Sequence, residues 1–353
     1  MNIDVVCYYY EPVKAPLLRD AVLPIARELA AAGVAVHVER HWLHGPHVKL
    51  RISGEEAQAR AVATVAAQRL DGYLAAHPSR CEIDEAALLA DARAAGYAEL
   101  VPPPYTPLHP DNTVRVEAAD DGRIRALLHD DGVEVRARLL RSALPALSAT
   151  TDFLGEHGDR ASARLHIALA AMAAHASRFP VAGLTGGYHS FVSHLEDFLA
   201  NDDPDGRLAA AFQSRWEQHA DQTSDLVARI ADGRMRPWEG RWSAWSAGAW
   251  RYVDEQRRGG ARLTGGGGRR RAAFSEYHQL MHRVDPEGAM RTRPDALVYR
   301  WCTNALYLLL AVCDVRPLER YLAAFLLTRA VPAVTGHSWR AEMVAAAELR
   351  ERV

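Results

Sequence analysis

A row of cationic side chains follows a Gly-Pro turn early in the chain. From position 47 onward His47, Lys49 and Arg51 alternate with apolar residues, which is the two-residue period of a half-buried strand. The turn at 45–46 would let this strand pair with residues 34–40 as a hairpin. The cationic face is therefore either an ion-paired or solvated surface or a site that binds a partner.

Ser275, His278 and His282 lie together on a predicted helix. The two histidines are four residues apart and share a face, as metal ligands would. The residues between them lack the glutamate of the HExxH motif, and no third ligand is evident. We therefore expect no metal site here, but the polar face of a cleft, to which Ser275 belongs by its spacing.

Tyr188 or His189 stands near the start of another predicted helix, where unpaired backbone donors favour an anionic or carbonyl partner, and Ser190 follows. Ser190, His194 and Asp197 imitate a hydrolase triad only superficially. Gly-x-Ser-x-Gly is absent, and neighbours on one short helix cannot form triad geometry. Alternatively, these polar residues cap the helix and face solvent.

The helix predicted at 295–313 is apolar but carries polar and aromatic residues in its first half. Aromatic residues inside an apolar helix usually belong to the core. A buried Asn304 would need a hydrogen-bond partner, and beside a cleft Tyr299, Asn304 and Tyr307 could orient amide groups of a substrate.

Three consecutive cations, Arg269, Arg270 and Arg271, end a glycine-rich stretch. No Gly-Lys-Ser/Thr ending follows the glycines, so a nucleotide-binding loop is excluded. The stretch reads as a flexible tether whose arginines are either solvated or grip an acidic peptide.

The composition excludes several classes of function. The 353 residues carry a net charge of −2 with a pI near 6.8, which gives no global attraction to nucleic acid. The longest apolar runs are too short to span a membrane, and no secretory signal is visible. The four cysteines are far apart and read as reduced thiols, so we expect a cytoplasmic protein.

The order of predicted elements indicates an α+β fold with a ferredoxin-like antiparallel sheet. The first predicted elements are a strand at 3–10, a helix at 16–32 and the hairpin of 34–40 and 46–52. A helix that ends near residue 76 follows, with Ser53 as its N-cap. Residues 83–96 look helical, and 113–140 read first as strand and then as helix.

The later part of the chain forms a large helical portion. Helices are predicted at 159–178, 188–200, 206–232, 242–258, 271–283, 295–313 and 316–330. We therefore divide the chain into a ferredoxin-like half, 1–150, and a mostly helical half, 151–353, that completes the same catalytic domain.

Several motifs together resemble the thiopeptide-type bacteriocin biosynthesis domain, which is the small elimination domain of lantibiotic dehydratases. The resemblance rests on Tyr-Tyr-Tyr-Glu-Pro at 8–12, the stretch 39–52, and the late helix followed by Pro-Leu-Glu at 317–319. In that family the related strand ends in His-x-Arg-x-Arg. The likeness spans most of the chain and is weakest in the middle.

The resemblance also shows where this chain departs from the family's eliminases. Those enzymes use two strand arginines and a late-helix histidine to expel glutamate and leave dehydroalanine. Here Lys49 replaces one arginine, and Arg300 stands in place of the histidine. Lysine lacks the planar bidentate fork, and Arg300 cannot act as a base near neutrality. Both departures argue against glutamate elimination.

The stretch 186–199 resembles a branch of the family, the thiopeptide pyridine synthases. Membership would imply an enzyme that is guided by a leader peptide and acts on a modified precursor peptide, which consists of this leader and an azole-bearing core. The enzyme would join two dehydroalanines of the precursor in a formal [4+2] aza-cycloaddition. Water and the leader are then lost, no metal or redox cofactor is needed, and other maturation enzymes supply the substrate.

The resemblance suggests roles for the polar residues. Proton handling would fall to hydroxyl and imidazole groups: Ser275, His278, Tyr299, Tyr307, His189 and Ser190. Substrate binding would fall to a second set, with Trp301 stacking on thiazole rings and the arginine triplet meeting the leader: Trp301, Asn304, Lys49, Arg51, Arg269, Arg270 and Arg271. The alternatives are a glutamate-elimination lyase of a split dehydratase and a non-catalytic leader-binding adaptor.

Overall fold

The computed structural model describes residues 1–263 and 274–352. These residues form two compact units. The first contains Met1–Asp159 and Tyr307–Asp314, and the second contains Arg160–Leu263, 274–306 and 315–352. The predicted arginine triplet at 269–271 lies outside the described residues.

The first unit is built on a four-stranded antiparallel sheet. Its strands are β1 (Asn2–Tyr8), β2 (Ala35–His41), β3 (His47–Ser53) and β4 (Thr113–Ala118), in the order β2-β3-β1-β4. Val5 lies opposite Leu50 on one side and Val116 on the other. This order, with a helical connection after β1 and after β3, is that of a ferredoxin-like sheet. The predicted α+β fold class is confirmed.

Helices connect these strands. The first connection consists of α1 (Ala15–Leu17), a π-helical turn (Leu18–Val22) and α2 (Leu23–Ala31), and the second consists of α3 (Glu56–Ala76) and α4 (Glu85–Glu99). α3 packs on β1 and β4 through small and apolar residues at helical spacing, Ala59, Ala63, Ala66, Leu70 and Leu74.

The prediction that Ser53 caps α3 is wrong. Ser53 is the last residue of β3, and the cap is Glu55, whose carboxylate accepts a hydrogen bond from the backbone N–H of Gln58 at 3.1 Å. The helix begins two residues later than a cap at Ser53 would place it. Ser53 is therefore held by strand pairing with Asn2 and Ala35.

The ambiguous segment after residue 113 divides as its pattern suggests. β4 gives way to α5 (Gly122–Ser142), which has non-helical angles at His129, and α6 (Leu144–His157) completes the first unit. α5 packs on β2 and α6 on α2. α6 lies outside the helices predicted from the sequence.

The second unit is helical. It contains α7 (Ala161–Ala176), α8 (Gly183–Gly187), α9 (His189–Asp202), α10 (Arg207–Ala231), α11 (Pro237–Arg258), α12 (Glu276–Val284), α13 (Ala289–Thr292), the start of α14 (Pro294–Val312), α15 (Pro317–Thr335) and α16 (Trp339–Glu351). α7 is its core, because every residue from Ile167 to Ala176 is buried and the helix contacts α10, α11 and α15. No helix in the described ranges combines the length and the apolar character that a membrane crossing needs.

Candidate functional site

Arg51 on β3 forms ion pairs with carboxylates of the protein itself. Its side chain is buried, with the residue 3% exposed. Nε and Nη2 donate to the two oxygens of Asp4 at 2.7 and 2.8 Å, and Nη1 donates to Asp121. Lys49 Nζ lies 3.7 Å from the same Asp4. Because Asp4 pairs with Arg51 in the sheet register, the cationic row is neutralised from the adjacent strand.

A second buried ion pair lies on the neighbouring strand β2. Arg136 of α5 donates to both oxygens of Glu39, at 3.2 and 2.5 Å, and His37 Nε2 lies 3.0 Å from Glu39. Burial opposes ionisation of Glu39, but the charges of Arg136 and Lys49 and the bond from His37 hold the pKa of this carboxyl well below its usual range. This face of the sheet is therefore a set of mutually compensating charges.

The N-terminus of α12 places an imidazole between two hydroxyl groups. Ser275 caps the helix, and its Oγ accepts from the backbone N–H of His278 at 3.4 Å. The same Oγ lies 2.7 Å from His278 Nδ1, and Ser193 Oγ of α9 lies 3.1 Å from His278 Nε2. A neutral imidazole accepts a proton at one nitrogen and donates from the other. The group can therefore pass a proton from one side to the other without a net change of charge.

His189, the first residue of α9, forms the next part of this site. Its Nδ1 lies 3.3 Å from the hydroxyl of Tyr277 on α12. Burial lowers the pKa of His189 and raises the pKa of Tyr277, so near neutral pH the imidazole is uncharged and the phenol keeps its proton. Tyr188 fixes the start of α9, because its hydroxyl accepts from the backbone N–H of Trp339 at 2.6 Å.

Glu196 lies on the same face of α9 as His189 and Ser193, at positions i, i+4 and i+7. Burial raises the pKa of its carboxyl, and the nearby charge of Glu276 adds to this, while Arg329 and Arg340 oppose it. A carboxyl group whose pKa is raised keeps its proton closer to neutral pH and can act as an acid.

Tyr299 is buried in an aromatic cluster. Its ring stacks on His175 with centroids 4.5 Å apart and an angle of 6°, and Phe179 lies edge-on at 4.8 Å. The residue is 6% exposed. Tyr299 therefore positions α14 against the buried face of α7, and its ring is not offered to solvent.

The other predicted residues of α14 differ in exposure. Trp301 is buried, whereas Asn304 is exposed on the same face as Arg300. Tyr307 is half-buried and counts with the first unit. It follows Tyr299 by eight residues, which corresponds to about 12 Å along the helix axis.

The structure thus brings four of the predicted catalytic residues to adjoining positions on two helices. His189 and Ser190 begin α9, and Ser275 and His278 begin α12, which packs on α9. Ser193 and Tyr277 are not among the residues predicted from the sequence, although Ser193 lies four residues after His189 and Tyr277 lies next to His278. His175 was not predicted either, because a single histidine in an alanine-rich helix is typical of a core position.

Two other features of the described chain do not indicate a functional site. A surface pocket of about 550 Å³ in the first unit is lined by residues around Asn2, Ala118 and Asp121, and none of the predicted catalytic residues lines it. Among residues 1–263 and 274–352, no three histidine, cysteine or acidic residues are grouped in a way that could hold a metal ion.

Comparisons with known proteins identify the fold. No family profile matches the sequence, and no curated protein matches it. The solved structure of the pyridine synthase TbtD from thiomuracin biosynthesis is similar to 95% of this chain and 99% of its own, with 20% identity and a TM-score of 0.74. The structure of TsrL covers 98% of both chains, with 15% identity and a TM-score of 0.68. The likeness to pyridine synthases expected from the motifs is confirmed for the fold.

Proposed function

We propose that this protein is a pyridine synthase of thiopeptide maturation. The observation that carries the proposal is the fold likeness to TbtD, which extends over nearly the whole of both chains. The motifs at 39–52 and 186–199 suggest the same function. The neutral hydroxyl and imidazole groups at the start of α9 and α12 supply suitable chemistry.

The proposed reaction balances without an oxidant or a reductant. A dehydroalanine whose amide has become an imidic acid serves as a 2-azadiene, and a second dehydroalanine serves as the dienophile. Two carbon–carbon bonds form, one between the methylene carbons and one between the imidic carbon and the dienophile Cα. The ring then loses the imidic hydroxyl together with one methylene proton as water. It loses the dienophile nitrogen, which carries the leader, together with a proton from the other methylene as a carboxamide, and a pyridine remains.

Two proton transfers in this scheme have a suitable group on α9 or α12. Tautomerisation moves a proton from an amide nitrogen to its oxygen, and the Ser275–His278–Ser193 group can accept at one end and donate at the other. Loss of water needs an acid, for which Glu196 is suited by its raised pKa. Holding both dehydroalanines in a near-attack pose can supply roughly 7 to 11 kcal/mol of the barrier.

The proposed partner is a precursor peptide that carries a leader, azoles and dehydroalanines. Asn304 is a proposed contact because its amide is exposed on α14. The arginines at 269–271 remain a predicted contact for the leader. Trp301 and Arg51 are left out of the proposed binding surface because the first is buried and the second is ion-paired.

A glutamate-elimination lyase is the weaker proposal. Arg51, the arginine that this chain retains on the strand, is held by Asp4 and Asp121, and position 300 carries an arginine instead of a base. A leader-binding adaptor is distinguished by experiment, because it requires no proton-handling residue.

The test is incubation with a dehydrated, azole-bearing precursor followed by mass spectrometry. We expect a released leader carboxamide and a product lighter than the precursor by that carboxamide plus water. A glutamylated Ser/Thr peptide should remain unchanged. Release of glutamate from that peptide, or no product from the dehydrated precursor, would contradict the proposal.

Two variants separate an enzyme from an adaptor. Ser275→Ala should reduce product formation by about 10²-fold or more, as expected for loss of an acid–base group. Ser214→Ala on the exposed face of α10 is the matched control and should keep wild-type turnover. If both variants form the macrocycle equally well, His278 and its hydroxyl partners do not handle the protons.

A further inference from the structure

A buried chain of polar side chains crosses the core of the second unit beneath α9. Ser246 of α11 lies 3.1 Å from His175 Nδ1, and Thr303 Oγ1 of α14 lies 3.1 Å from His175 Nε2. All three residues are buried, with at most 2% exposure. Buried polar groups of this kind must satisfy one another, so the direction of each hydrogen bond can be worked out.

The hydroxyl of Thr303 fixes the tautomer of His175. Thr303 donates its proton to the backbone carbonyl of Tyr299 at 2.9 Å, so toward His175 it can only accept. The imidazole therefore carries its proton on Nε2, and Nδ1 accepts from Ser246. Burial lowers the pKa of His175 to about 3, so the ring stays neutral and the direction of the chain is kept over the physiological pH range.

The chain ends at Ser190, one of the accessible residues of the candidate site. Ser190 Oγ donates to Thr303 Oγ1 at 3.5 Å, and the residue is half-buried at the start of α9. Its proton points inward to Thr303, whose only proton is already given to Tyr299. The lone pairs of Ser190 are therefore left to accept a hydrogen bond from outside.

We propose that His175 and Thr303 are positioning residues that orient the hydroxyl of Ser190 as an acceptor for an N–H of the substrate backbone. This inference rests on the proposed function and adds a specific contact to it. In the proposed reaction, the acceptor would align the amide that becomes the azadiene. His175 acts through Thr303 and touches no substrate itself.

The experiment is a double-mutant cycle measured on the dehydrated precursor. Thr303→Val removes the hydroxyl at nearly constant volume, and we expect kcat/KM to fall about tenfold, as for one lost hydrogen bond. Thr303→Ser restores the hydroxyl and should recover activity to within about threefold. In a Ser190→Ala background, Thr303→Val should have no further effect beyond about twofold, because the group that it orients is absent.

The matched control is Thr328→Val in α15. Thr328 is also buried, and its hydroxyl donates to the carbonyl of Phe325 within its own helix. This variant should keep wild-type kcat/KM in both backgrounds. The inference would be overturned if Thr303→Val lowered kcat/KM equally with and without Ser190. It would also be overturned if Thr328→Val lowered kcat/KM as much as Thr303→Val does. Either result would mean that the hydroxyl of Thr303 only supports packing.

Nitrogen NMR of the folded protein tests the tautomer independently of activity. We expect His175 to show a protonated Nε2 and an unprotonated Nδ1 throughout pH 5 to 8, and His175→Gln identifies the signal. A protonated Nδ1 or an imidazolium in this range would overturn the inference. If the NMR agrees but wild-type protein forms no pyridine, the proposed function fails and the inferred role of Ser190 fails with it.

Discussion

Acid should destabilise the first unit through His47. The ring is buried against Tyr8, with centroids 5.1 Å apart, and Nδ1 donates to the carbonyl of Gly45 at 2.9 Å. Burial lowers the pKa of His47 from its ordinary 6.5 to about 3. Between these two pKa values the unfolded chain binds a proton that the folded protein does not. The contribution of the neutral His47 ring to the free energy of unfolding is therefore complete above pH 6.5 and is lost as the pH falls below this value.

The size of this loss follows from the two pKa values. Between pH 7 and pH 5, linkage predicts a loss of about 2 kcal/mol from His47 alone. His47→Asn removes the titration but keeps a side-chain N–H for the carbonyl of Gly45. The free energy of urea unfolding, wild type minus variant, should therefore fall by about 2 kcal/mol over this range.

His44→Asn is the matched control in the same hairpin. His44 is half-exposed and has a φ of +62°, a backbone conformation that asparagine tolerates well. This variant keeps the buried ring of His47, so it should still lose stability between pH 7 and pH 5. If His47→Asn loses as much stability over this range as wild type does, the reasoning from burial is wrong.

Three further predictions concern other ionisable groups. Arg51→Met should destabilise the protein by about 3 to 5 kcal/mol in urea unfolding, because it leaves Asp4 and Asp121 without their buried partner; an unchanged midpoint would contradict this. Burial lowers the pKa of Lys14 from 10.5 to about 8, so the free energy of unfolding rises as the pH increases from 8 to 10.5. Relative to Lys14→Met, wild type should gain about 2 kcal/mol between pH 8 and 10. Parallel pH profiles of the two proteins would show that the pKa of Lys14 is not lowered. Glu196→Gln should abolish the decline of kcat that a raised-pKa acid causes toward alkaline pH; an unchanged profile would remove Glu196 from the mechanism.

The local parts of the fold were predictable from the sequence. The hairpin at 34–52 and the order of strands and helices follow from alternation, helical spacing and the Gly-Pro turn, and β2 and β3 lie within a residue of their expected bounds. α6 and α16 were missed. Short amphipathic patterns such as 339–351 become helices because of what they pack against, and α16 packs on α12.

The environment of each charged residue was not predictable in this way. The alternation at 47–51 correctly gives Arg51 its strand and its face, but Asp4 and Asp121 are 47 and 70 residues distant in sequence. No local pattern links an arginine to such partners. The expectation that Arg51 meets a substrate therefore depended on information that only the sheet register supplies.

His175 shows the same limit for the candidate site. The pattern of its helix predicts burial, and burial is what the structure gives, but the hydroxyls of Ser246 and Thr303 come from helices 71 and 128 residues further along the chain. Spacing within one helix could reveal Ser193 beside His189. It could not reveal a chain of hydrogen bonds that joins residues on four helices, α11, α7, α14 and α9.

The two units use polar side chains in opposite ways, and this difference bears on mechanism. In the first unit the charged groups of the sheet pair with one another, as Arg51 does with Asp4, and a compensated charge has little capacity left for a substrate. In the second unit the groups at α9 and α12 are neutral, since burial keeps His189 unprotonated and Tyr277 protonated. Neutral donors and acceptors can move a proton across an amide without creating a charge in a dry site, where an uncompensated charge would be costly.

An elimination that expels a carboxylate needs a cation to receive it. A cycloaddition between uncharged dehydroalanines has no such requirement, and the neutral groups at α9 and α12 therefore agree with the proposed ring formation.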